Sequence, residues 1–542
     1  MQKSMGSFRS AAAAITPFSF TATLTPRTLL TLLAFLAMAF GAFAAERPNI
    51  IIIYADDVGY GELGSYGAEE NDTPNLDRRA ANGMRFTSAY ATASTCTPSR
   101  YSLLTGEYPF RNDDAQILPG NAPLIINPAK PTIASLLRDA GYATALVGKW
   151  HLGLGPADQA LDWNGDIAPG PREVGFEYSF HMAATGDRVP TVFIENGRVV
   201  DLDPDDPVEV SYADPVGDDP TGLSHPHLLR NQADKQHART IVDGTSRIGW
   251  MTGGEAARWT DEEMPDRFLH KALDFIESKH SEQFFLFYAV HENHVPRIPH
   301  PRFRGSTSLG VRGDAVVQMD WGIGEIMLRL EELGISDNTL IIFSSDNGPV
   351  LFDGYYDGAW ELNGKHQPAG PWRGGKYSTW EGGTRMPTIL SWPARVKPGL
   401  SDAIISQVDF FASIAALTGV ELPEGAASDS QNLLPALLGD SYEGREHVVQ
   451  QGAAGKAIRA GDWKYLPEGR VRNRGRIGKW NDDVVPNGGA LYYLPEDQKE
   501  RNNVASLYPE KAAKLRALLQ SELGDTELIY TGPDALGGAV EE

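Results

Sequence analysis

The sequence predicts an α/β protein with a large mixed central β-sheet flanked by helices, followed by a smaller C-terminal domain. Two segments, 131–141 and 314–333, have the apolar spacing of amphipathic helices. Three apolar runs bounded by polar residues are typical of buried parallel strands: 49–54, 284–290 and 338–344. Apolar strands that alternate with helical segments indicate the α/β class.

The residues after about 455 have a different character. Residues 457–466 predict a hairpin and residues 509–523 predict a helix, so we expect a short antiparallel sheet with one helix there. The predicted organisation is therefore a leader over 1–45, a main domain over 46–454 and a C-terminal subdomain over 455–542.

The first 45 residues have the pattern of a secretory signal peptide. They contain basic residues and no acid, an apolar run over 29–38, and Ala42-Phe43-Ala44 as a cleavage site. The alternative is an uncleaved N-terminal anchor. Cleavage predicts a periplasmic or secreted bacterial protein with no stable membrane association. Because it has one cysteine, such a protein depends on a large core and not on disulfides.

The composition limits the partners. The chain carries 71 acidic and 48 basic side chains, a formal net charge of −23. An acidic surface argues against nucleic acid or an anionic membrane as the main partner. Apolar content of 42% and 56 glycines are typical of a globular enzyme. An anionic ligand would need a locally basic pocket.

Cys96 is the only cysteine of the chain. A lone thiol is usually a small buried apolar group. Its surroundings indicate more, because Pro98 fits the first turn of a helix and Gly106 fits its end. Cys96 is therefore predicted at or just before a helix N-terminus, where free N–H groups favour an anion. Arg100 lies one turn further on and can return to the same place.

Carboxylate and amide side chains follow two predicted strands. Asp56 and Asp57 come after the first strand, and adjacent carboxylates repel each other unless a cation lies between them. A helix N-cap plus a solvated aspartate is the alternative. Asp346 and Asn347 follow another strand and offer hard oxygen ligands suited to calcium. An Asp-Asn-Gly turn is an equally simple interpretation.

Basic and imidazole side chains follow two further strands. Lys149 and His151 are two residues apart, so on an extended segment they would share a face. A lysine supplies a point charge for an anion, and a histidine moves a proton near neutral pH. His291 and His294, with Glu292, could bind zinc, but the His-Glu-x-x-His spacing is absent.

Several blocks, in the same order, resemble type I (formylglycine-dependent) sulfatases. The similarity covers residues 49 to about 395, and the joint match is far more specific than any single block. The blocks are Asp56-Asp57-Val58-Gly59-Tyr60-Gly61, Cys96-Thr97-Pro98-Ser99-Arg100, Gly148-Lys149-Trp150-His151-Leu152-Gly153, His294-Val295-Pro296, Asp346-Asn347-Gly348, and Gly374-Gly375-Lys376 with Glu381-Gly382-Gly383-Thr384-Arg385-Met386-Pro387.

The resemblance implies a sulfuric ester hydrolase on an alkaline phosphatase-like sandwich, with 46–454 as the catalytic domain. A formylglycine-generating maturation enzyme would convert Cys96 to 3-oxoalanine (formylglycine), whose hydrate is the nucleophile. The resemblance also implies one calcium ion held by residue 96 together with Asp56, Asp57, Asp346 and Asn347. Glu62 stands where many relatives carry an aspartate, and we do not expect it to bind the metal.

The resemblance also assigns catalytic roles. Arg100, Lys149 and Lys376 would neutralise charge on the sulfate oxygens. His294 would protonate the departing sugar oxygen, and His151 would take a proton from the second hydroxyl of the hydrate. The expected catalytic residues are Cys96, Arg100, Lys149, His151, His294 and Lys376.

A weaker resemblance, to bacterial carbohydrate sulfatases acting on galactose or N-acetylgalactosamine 6-O-sulfate, implies a sulfated sugar or polysaccharide fragment as substrate. A structural ion pair is an equally simple interpretation of Asp187 and Arg188, and His291 either contacts substrate or supports a residue that does. The insertion over about 201–239 is expected near the site. The expected substrate contacts are Asp187, Arg188, His291, Arg297 and His366.

Three other functions stay open at this point. One is an arylsulfatase. Another is a phosphomonoester or phosphonate hydrolase on the same fold, because phosphate and sulfate share a shape. The third is an inactive protein that binds sulfated glycans, which requires a lost catalytic group, whereas every expected group is present.

Overall fold

The computed structural model describes residues 47–475 and 479–528. The predicted signal peptide over 1–45 lies outside the described residues. The described residues from Arg47 onward belong to one compact unit. Among them, no helix has the length and apolar character needed to span a membrane.

Helices alternate with strands over residues 264–345, whereas the strands between residues 143 and 252 follow one another with no α-helix between them. The helices are α1 (Pro74–Asn82), α2 (Cys96–Thr105), α3 (Ile133–Asp139), α4 (Met264–Lys279), α5 (Val311–Glu332), α6 (Ala359–Leu362), α7 (Glu381–Thr384), α8 (Phe410–Thr418), α9 (Leu434–Leu437) and α10 (Pro509–Leu523). The strands are β1 (Asn49–Ala55), β2 (Met84–Phe86), β3 (Ala89–Tyr90), β4 (Ala143–Lys149), β5 (Tyr178–Met182), β6 (Ile194–Glu195), β7 (Arg198–Val199), β8 (Glu209–Ser211), β9 (Ile241–Val242), β10 (Thr245–Ser246), β11 (Trp250–Thr252), β12 (Phe284–Ala289), β13 (Thr339–Ser345), β14 (Thr388–Ser391), β15 (Gly399–Ser401), β16 (Ile405–Ser406), β17 (His447–Gln451), β18 (Lys456–Ala460), β19 (Trp463–Leu466), β20 (Gly469–Val471), β21 (Asp483–Val485) and β22 (Ala490–Tyr493).

The central sheet has ten strands in the order β15-β2-β14-β13-β1-β12-β4-β5-β6-β7. The middle strands from β13 to β5 are parallel. Antiparallel pairs flank them, formed by β14 and β2 on one side and by β6 and β7 on the other. The sheet is therefore mixed, which confirms the predicted fold class.

The core forms a layer on each face of this sheet. Ile50 and Ile52 of β1 pack in one layer with Leu103 of α2. Ile51 and Ile53 pack in the other layer with helices α4 and α5. Because both faces are covered, every residue of β1 is buried, and the strand reads as one apolar run without alternation.

The carboxyl ends of the parallel strands carry the predicted site residues. Strand β1 ends at Ala55, directly before Asp56, and β13 ends at Ser345, directly before Asp346. Strand β4 ends at Lys149. Since parallel strands end at the same edge of a sheet, these side chains converge there, as predicted.

Helix α2 begins at Cys96 and stops before Gly106, as predicted. Gly106 has a φ of 69°, a left-handed conformation that favours glycine, and its N–H donates to the carbonyl of Ser102. Every residue of α2 is buried. Its N-terminal residue, Cys96, therefore lies inside the molecule.

A four-stranded antiparallel sheet, β17-β18-β19-β22, forms near the C-terminus. The hairpin β18–β19 and helix α10 match the predicted hairpin and helix. Helix α10 packs Leu515 against Ile458 and Tyr465 of this sheet. Strand β17 already belongs to the sheet although it precedes residue 455, and the exact domain boundary stays a prediction.

Candidate active site

A cavity of about 230 Å³ opens among side chains from widely separated parts of the chain. Five predicted site residues line it: Cys96, Asp187, Arg188, His294 and Lys376. Residues that the sequence did not single out as site residues also line it: Tyr212, Gln236, His237, Asp353, Tyr377, Arg474 and Trp480. Its size suits a sugar-sized ligand.

Asp56, Asp57, Asp346 and Asn347 form one buried group, the carboxylate cluster. Asp57 Oδ1 accepts a hydrogen bond from Asn347 Nδ2 at 2.7 Å, and the Asp57 backbone N–H donates to Asp346 Oδ1 at 3.3 Å. The cluster also reaches Cys96, because ligand atoms of Asp56, Asp346 and Cys96 lie within 4.8 Å of one another. These are the residues that the sequence predicted to share a metal ion.

Two oxygens of the carboxylate cluster support this assignment. Asp56 Oδ1 and Asn347 Oδ1 are buried and have no hydrogen-bond partner among the described residues. An unpartnered buried oxygen costs about 1–3 kcal/mol, so such atoms usually serve a ligand. The cluster offers hard oxygens, and calcium prefers such ligands. The residues therefore fit a calcium ion.

Two cations hold the carboxylate cluster in place. Arg100 donates from Nε and Nη2 to Asp346 Oδ2 at 3.0 and 2.9 Å. Lys149 Nζ donates to Asp56 Oδ2 at 2.5 Å. Both cations are completely buried and neither is among the residues lining the cavity. In this arrangement they position the carboxylates, whereas the sequence predicted direct contacts with sulfate.

Lys376 has a different position. It lines the cavity, and its Nζ donates to Asp57 Oδ2 at 2.9 Å and to Asp353 Oδ2 at 3.0 Å. The carboxylates of Asp57 and Asp353 outweigh the effect of burial and raise the pKa of Lys376 well above its usual value. Lys376 is therefore a permanent cation at the cavity wall beside Cys96.

The pKa values of the carboxylates in the carboxylate cluster are shifted from their usual values. Burial raises the pKa of Asp56 well above its usual value, and Asp346 adds to this shift. Burial also raises the pKa of Asp57. For Asp346 the effect of burial is outweighed by Arg100 and then Lys149, so its pKa is lowered. A bound cation would relieve the repulsion at Asp56 and Asp57.

Cys96 itself is almost fully enclosed. It is 2% exposed, and that fraction faces the cavity. Burial raises the pKa of its thiol to about 11, against the opposing charges of Lys149 and Lys376. An unmodified thiol at this position is therefore protonated at neutral pH and is a weak nucleophile.

His294 presents one ring nitrogen for proton transfer. Its Nδ1 lies 2.7 Å from the carbonyl of Val295, which only accepts, so Nδ1 carries a hydrogen. The other nitrogen, Nε2, lies 4.0 Å from Asp57 Oδ2. Burial, and then the charges of Lys376 and Lys149, lower the pKa of His294 well below its usual value. The ring is therefore neutral in the free site, with Nε2 able to accept a proton.

His151 lies beside helix α2. Strand β4 ends at Lys149, and His151 has a φ of 55°, so the two side chains do not share one face of a strand as predicted. Its Nε2 lies 3.0 Å from the carbonyl of Leu118, and its carbonyl accepts from Thr97 Oγ1 at 2.9 Å. Its Nδ1 is buried without a partner among the described residues, so this atom is free to accept a proton.

The positions of Asp187 and Arg188 are compatible with both interpretations that the sequence left open. They form an ion pair of 2.7 Å, and both line the cavity. His291 supports this segment, because its Nε2 accepts the N–H of Gly186 at 3.0 Å. Glu292 is absent from the group of Asp56, His291 and His294 whose ligand atoms lie close together, so the zinc interpretation with Glu292 gains no support.

Two predicted substrate contacts lie elsewhere. Arg297 pairs with Asp357 at 2.7 Å and donates to backbone carbonyls, and His366 lies between Glu62 and Glu70 at 3.1 and 3.2 Å. Neither is among the residues lining the cavity. Arg297 and His366 are therefore not placed at the cavity, because their polar atoms are bound by Asp357, by backbone carbonyls and by the two glutamates.

A chain of alternating charges, the charged arc, runs from the carboxylate cluster along the cavity. Its members, in order, are Asp57, Lys376, Asp353, Arg474, Asp234, His237, Asp187 and Arg188. The N–O distances between successive members are 2.9, 3.0, 3.8, 3.6, 2.7, 3.4 and 2.7 Å. The middle members of the arc come from loops without a recognisable sequence pattern and were not predicted. The insertion over 201–239 was a signal for Asp234 and His237, whereas Asp353 and Arg474 had none.

Comparisons with known proteins agree with this geometry. The sulfatase family matches residues 48–420. An N-acetylgalactosamine-6-O-sulfatase of Bacteroides thetaiotaomicron is 50% identical over 480 residues, which cover 88% of this chain and 93% of the relative. Human arylsulfatase A is 33% identical over 430 residues, which cover 78% of this chain and 73% of the relative.

A solved structure gives the same result for the fold. It is described in connection with the metabolism of multiple glycosaminoglycans by Bacteroides thetaiotaomicron. It is 50% identical, has a TM-score of 0.85, and covers 88% of this chain and 100% of its own. The predicted fold and family are thereby confirmed, and this chain belongs to the sulfatase family.

Proposed function

We propose that this sulfatase hydrolyses the 6-O-sulfate ester of N-acetylgalactosamine or galactose in a sulfated glycan fragment, with a formylglycine at position 96 and a calcium ion. The observation that carries the proposal is the position of Cys96, Lys376 and His294 on one cavity, with the carboxylate cluster next to Cys96. The 50% identity to an N-acetylgalactosamine-6-O-sulfatase supports the sugar class.

Two groups complete the site in this proposal. Asp56, Asp57, Asp346 and Asn347 would hold the calcium ion, which when bound supplies positive charge beside residue 96 and the sulfate. A formylglycine at position 96, produced by a dedicated maturation enzyme, supplies a hydrated aldehyde in place of the weakly nucleophilic thiol.

The cations of the site divide into two kinds. Lys376 reaches the cavity, so it neutralises charge on a sulfate oxygen directly. Lys149 and Arg100 keep Asp56 and Asp346 in place from behind, which orients the ligands of the metal. The loss of either buried cation therefore weakens the reaction through the carboxylate cluster.

Two histidines move the protons. His294 Nε2 is the atom that donates to the departing sugar oxygen, since Nδ1 is bound to the carbonyl of Val295. The free ring is neutral, and it takes up that proton when the negative charge of the sulfate enters beside it. His151 Nδ1, which has no hydrogen-bond partner among residues 47–475 and 479–528, accepts a proton from residue 96.

The substrate class is tested with matured enzyme from its native host. We would measure sulfate release from 6-sulfated N-acetylgalactosamine, 6-sulfated galactose, a 4-sulfated sugar and an aryl sulfate, with a phosphate monoester as the competing chemistry. We expect the 6-sulfated sugars to be the best substrates, and Cys96→Ser to reduce the rate by about 10⁴-fold or more. Stronger phosphatase than sulfatase activity, or an unmodified thiol in fully active enzyme by peptide mass spectrometry, would contradict the proposal.

We also propose that the chain is exported to the periplasm or secreted. The support is the signal-peptide pattern of residues 1–45. N-terminal sequencing of protein from the native host should find a mature start near residue 45. A protein that begins at Met1 in the cytoplasmic fraction would contradict export.

A further inference from the structure

Arg474 is the most loosely paired member of the charged arc. Its distances to Asp353 and Asp234, 3.8 and 3.6 Å, are the two longest of the arc and exceed those of a direct hydrogen bond. Its Nε is buried and has no hydrogen-bond partner among the described residues. The side chain is only 10% exposed, yet it lines the cavity. The guanidinium of Arg474 therefore borders the cavity with its Nε donor unused among the described residues.

Aromatic rings hold this guanidinium from one side. The Arg474 guanidinium lies 4.7 Å from the ring centre of Trp480, its bridge partner across the hairpin. Tyr377 packs edge-on against Trp480 at 5.2 Å, and its hydroxyl donates to Asp353 at 2.9 Å. A planar cation on an aromatic surface is suited to bind an anionic group together with the face of a sugar ring.

The position of Arg474 separates it from the sulfate that reacts. Asp353 lies between Lys376 and Arg474, with distances of 3.0 and 3.8 Å to the two cations. Because a carboxylate occupies the space between them, one sulfate group does not serve both cations. Arg474 is therefore available to a different group of the same substrate.

We propose that Arg474 and Trp480 form a second anion-binding position in the cavity, which recognises a carboxylate or a second sulfate carried by the substrate. This inference rests on the proposed function and narrows its substrate class to sugars with two anionic groups. A carboxylate would belong to an acidic sugar adjoining the sulfated one, and a second sulfate would belong to the sulfated sugar itself. Both would form charge-assisted hydrogen bonds with the guanidinium.

The test compares R474Q with wild type on three substrates. They are the 6-sulfated monosaccharide, the same sugar with a second sulfate, and a disaccharide of the 6-sulfated sugar with a uronic acid. R470Q is the matched control, because Arg470 lies on the same hairpin and its side chain is 70% exposed. R474K retains the charge and serves as a second variant if R474Q lowers the melting temperature.

We expect R474Q to reduce kcat/KM about 10- to 100-fold for one of the two doubly anionic substrates. The monosulfated sugar should change by less than about threefold, and R470Q should leave all three substrates near wild type. The substrate that suffers the larger loss identifies the source of the anion. R474K should give the same ranking with a smaller loss.

Two results would overturn the inference. An equal loss on all three substrates would assign Arg474 to the reaction or the fold, and no loss on any would remove its role in recognition. Either result, with normal turnover by wild type, leaves the proposed function intact. Wild-type enzyme that hydrolyses none of the three sugars would overturn the proposed function and this inference with it.

Discussion

The carboxylate cluster and a second buried group of charges are enclosed to the same degree but are built differently. The second group, the Glu381 cluster, joins α7 to the C-terminal sheet. Its members are Glu381, Arg385, Arg459, Lys464 and Glu500. Asp56 and Glu381 are both 0% exposed, so burial alone does not distinguish the two groups.

The difference lies in how each carboxylate is satisfied. Both oxygens of Glu381 accept hydrogen bonds, from Lys464 at 3.1 Å, Arg385 at 3.1 Å, Gln450 at 3.0 Å, and the hydroxyl of Tyr90. Lys464 and Arg385 outweigh burial and hold the pKa of Glu381 below its usual value. Asp56 has an oxygen without a partner and a raised pKa.

The two clusters show how buried charge that stabilises the fold differs from buried charge that serves the reaction. In the Glu381 cluster, the cations Arg385, Arg459 and Lys464 outnumber Glu381 and Glu500. This cluster therefore needs no further cation to stabilise the fold, even though one oxygen of Glu500 has no hydrogen-bond partner among the described residues and burial raises the pKa of Glu500 to about 7. In the carboxylate cluster, Asp56 and Asp57 have raised pKa values and Asp56 Oδ1 has no partner among the described residues, which is the arrangement expected of a site that takes up a cation. Both groups contain residues of the sulfatase-like blocks, and only the structure shows that one of them is structural.

Removal of the Glu381 carboxylate should give the largest loss of stability. Glu381→Ala removes the buried carboxylate that Arg385 and Lys464 share and leaves Lys464 with Glu500 at 3.1 Å. We expect the free energy of unfolding to fall by about 3–5 kcal/mol. Urea denaturation measures it. Glu496→Ala, at an exposed position, is the control and should change stability by less than about 0.5 kcal/mol. If Glu381→Ala lowers the free energy of unfolding by less than about 1 kcal/mol, the Glu381 cluster does not stabilise the fold as described.

Removal of one negative charge from the carboxylate cluster should affect activity much more than stability. Asp56→Asn is expected to reduce kcat by about 10²–10³-fold, which corresponds to roughly 3–4 kcal/mol. The unfolding free energy in chelator should change by less than about 1 kcal/mol, because Lys149 keeps Asp346 at 4.0 Å. Asp337→Asn, at an exposed position, is the charge-matched control. A loss of stability equal to that of Glu381→Ala would contradict the distinction.

Calcium should stabilise one cluster and not the other. At a calcium concentration about 100 times its dissociation constant, the unfolding free energy should rise by about 2.7 kcal/mol. Thermal unfolding with calcium and after chelation measures this shift. Glu381→Ala should retain it, whereas Asp56→Asn should lose it. Equal protection of both variants would place the ion elsewhere.

The smallest effect concerns pH. Asp187 and Asp234 outweigh burial and raise the pKa of His237 to about 9, whereas in an unfolded chain histidine titrates near 6.5. The stabilisation by the protonated ring is therefore complete below about pH 6.5 and disappears as pH rises through 9. His237→Gln should cost roughly 1–3 kcal/mol more at pH 6 than at pH 10. A pH-independent cost in urea titrations would show that the ring is neutral in the folded protein.

Local features of the fold follow from the sequence because they depend on neighbouring residues. The apolar run before Asp56 identifies a buried strand, and Pro98 with Gly106 delimits helix α2. Parallel strands bring their carboxyl ends together, so the convergence of Asp56 and Asp346 also follows. These parts of the site were predictable without coordinates.

Contacts between residues that are far apart in the sequence cannot be predicted from the sequence in this way. Arg100 could return to residue 96 by helical spacing, yet it binds Asp346, which lies 246 residues away. His366 was assigned to substrate but binds Glu62. His237 and Arg474 come from loops with no periodicity, so only their tertiary positions make them visible.

The burial of helix α2 has a consequence for the order of events during synthesis. Thr97, Ser99 and Arg100, which flank Cys96, are completely enclosed in the folded protein. Under the proposed function, an enzyme that recognises this segment while it oxidises Cys96 would have to act before the helix docks against the sheet. Folding and modification would then compete in time, and a chain that folded first would keep an unmodified thiol. The active fraction of a preparation would thus be set while the chain is being made, whatever metal or substrate is added later.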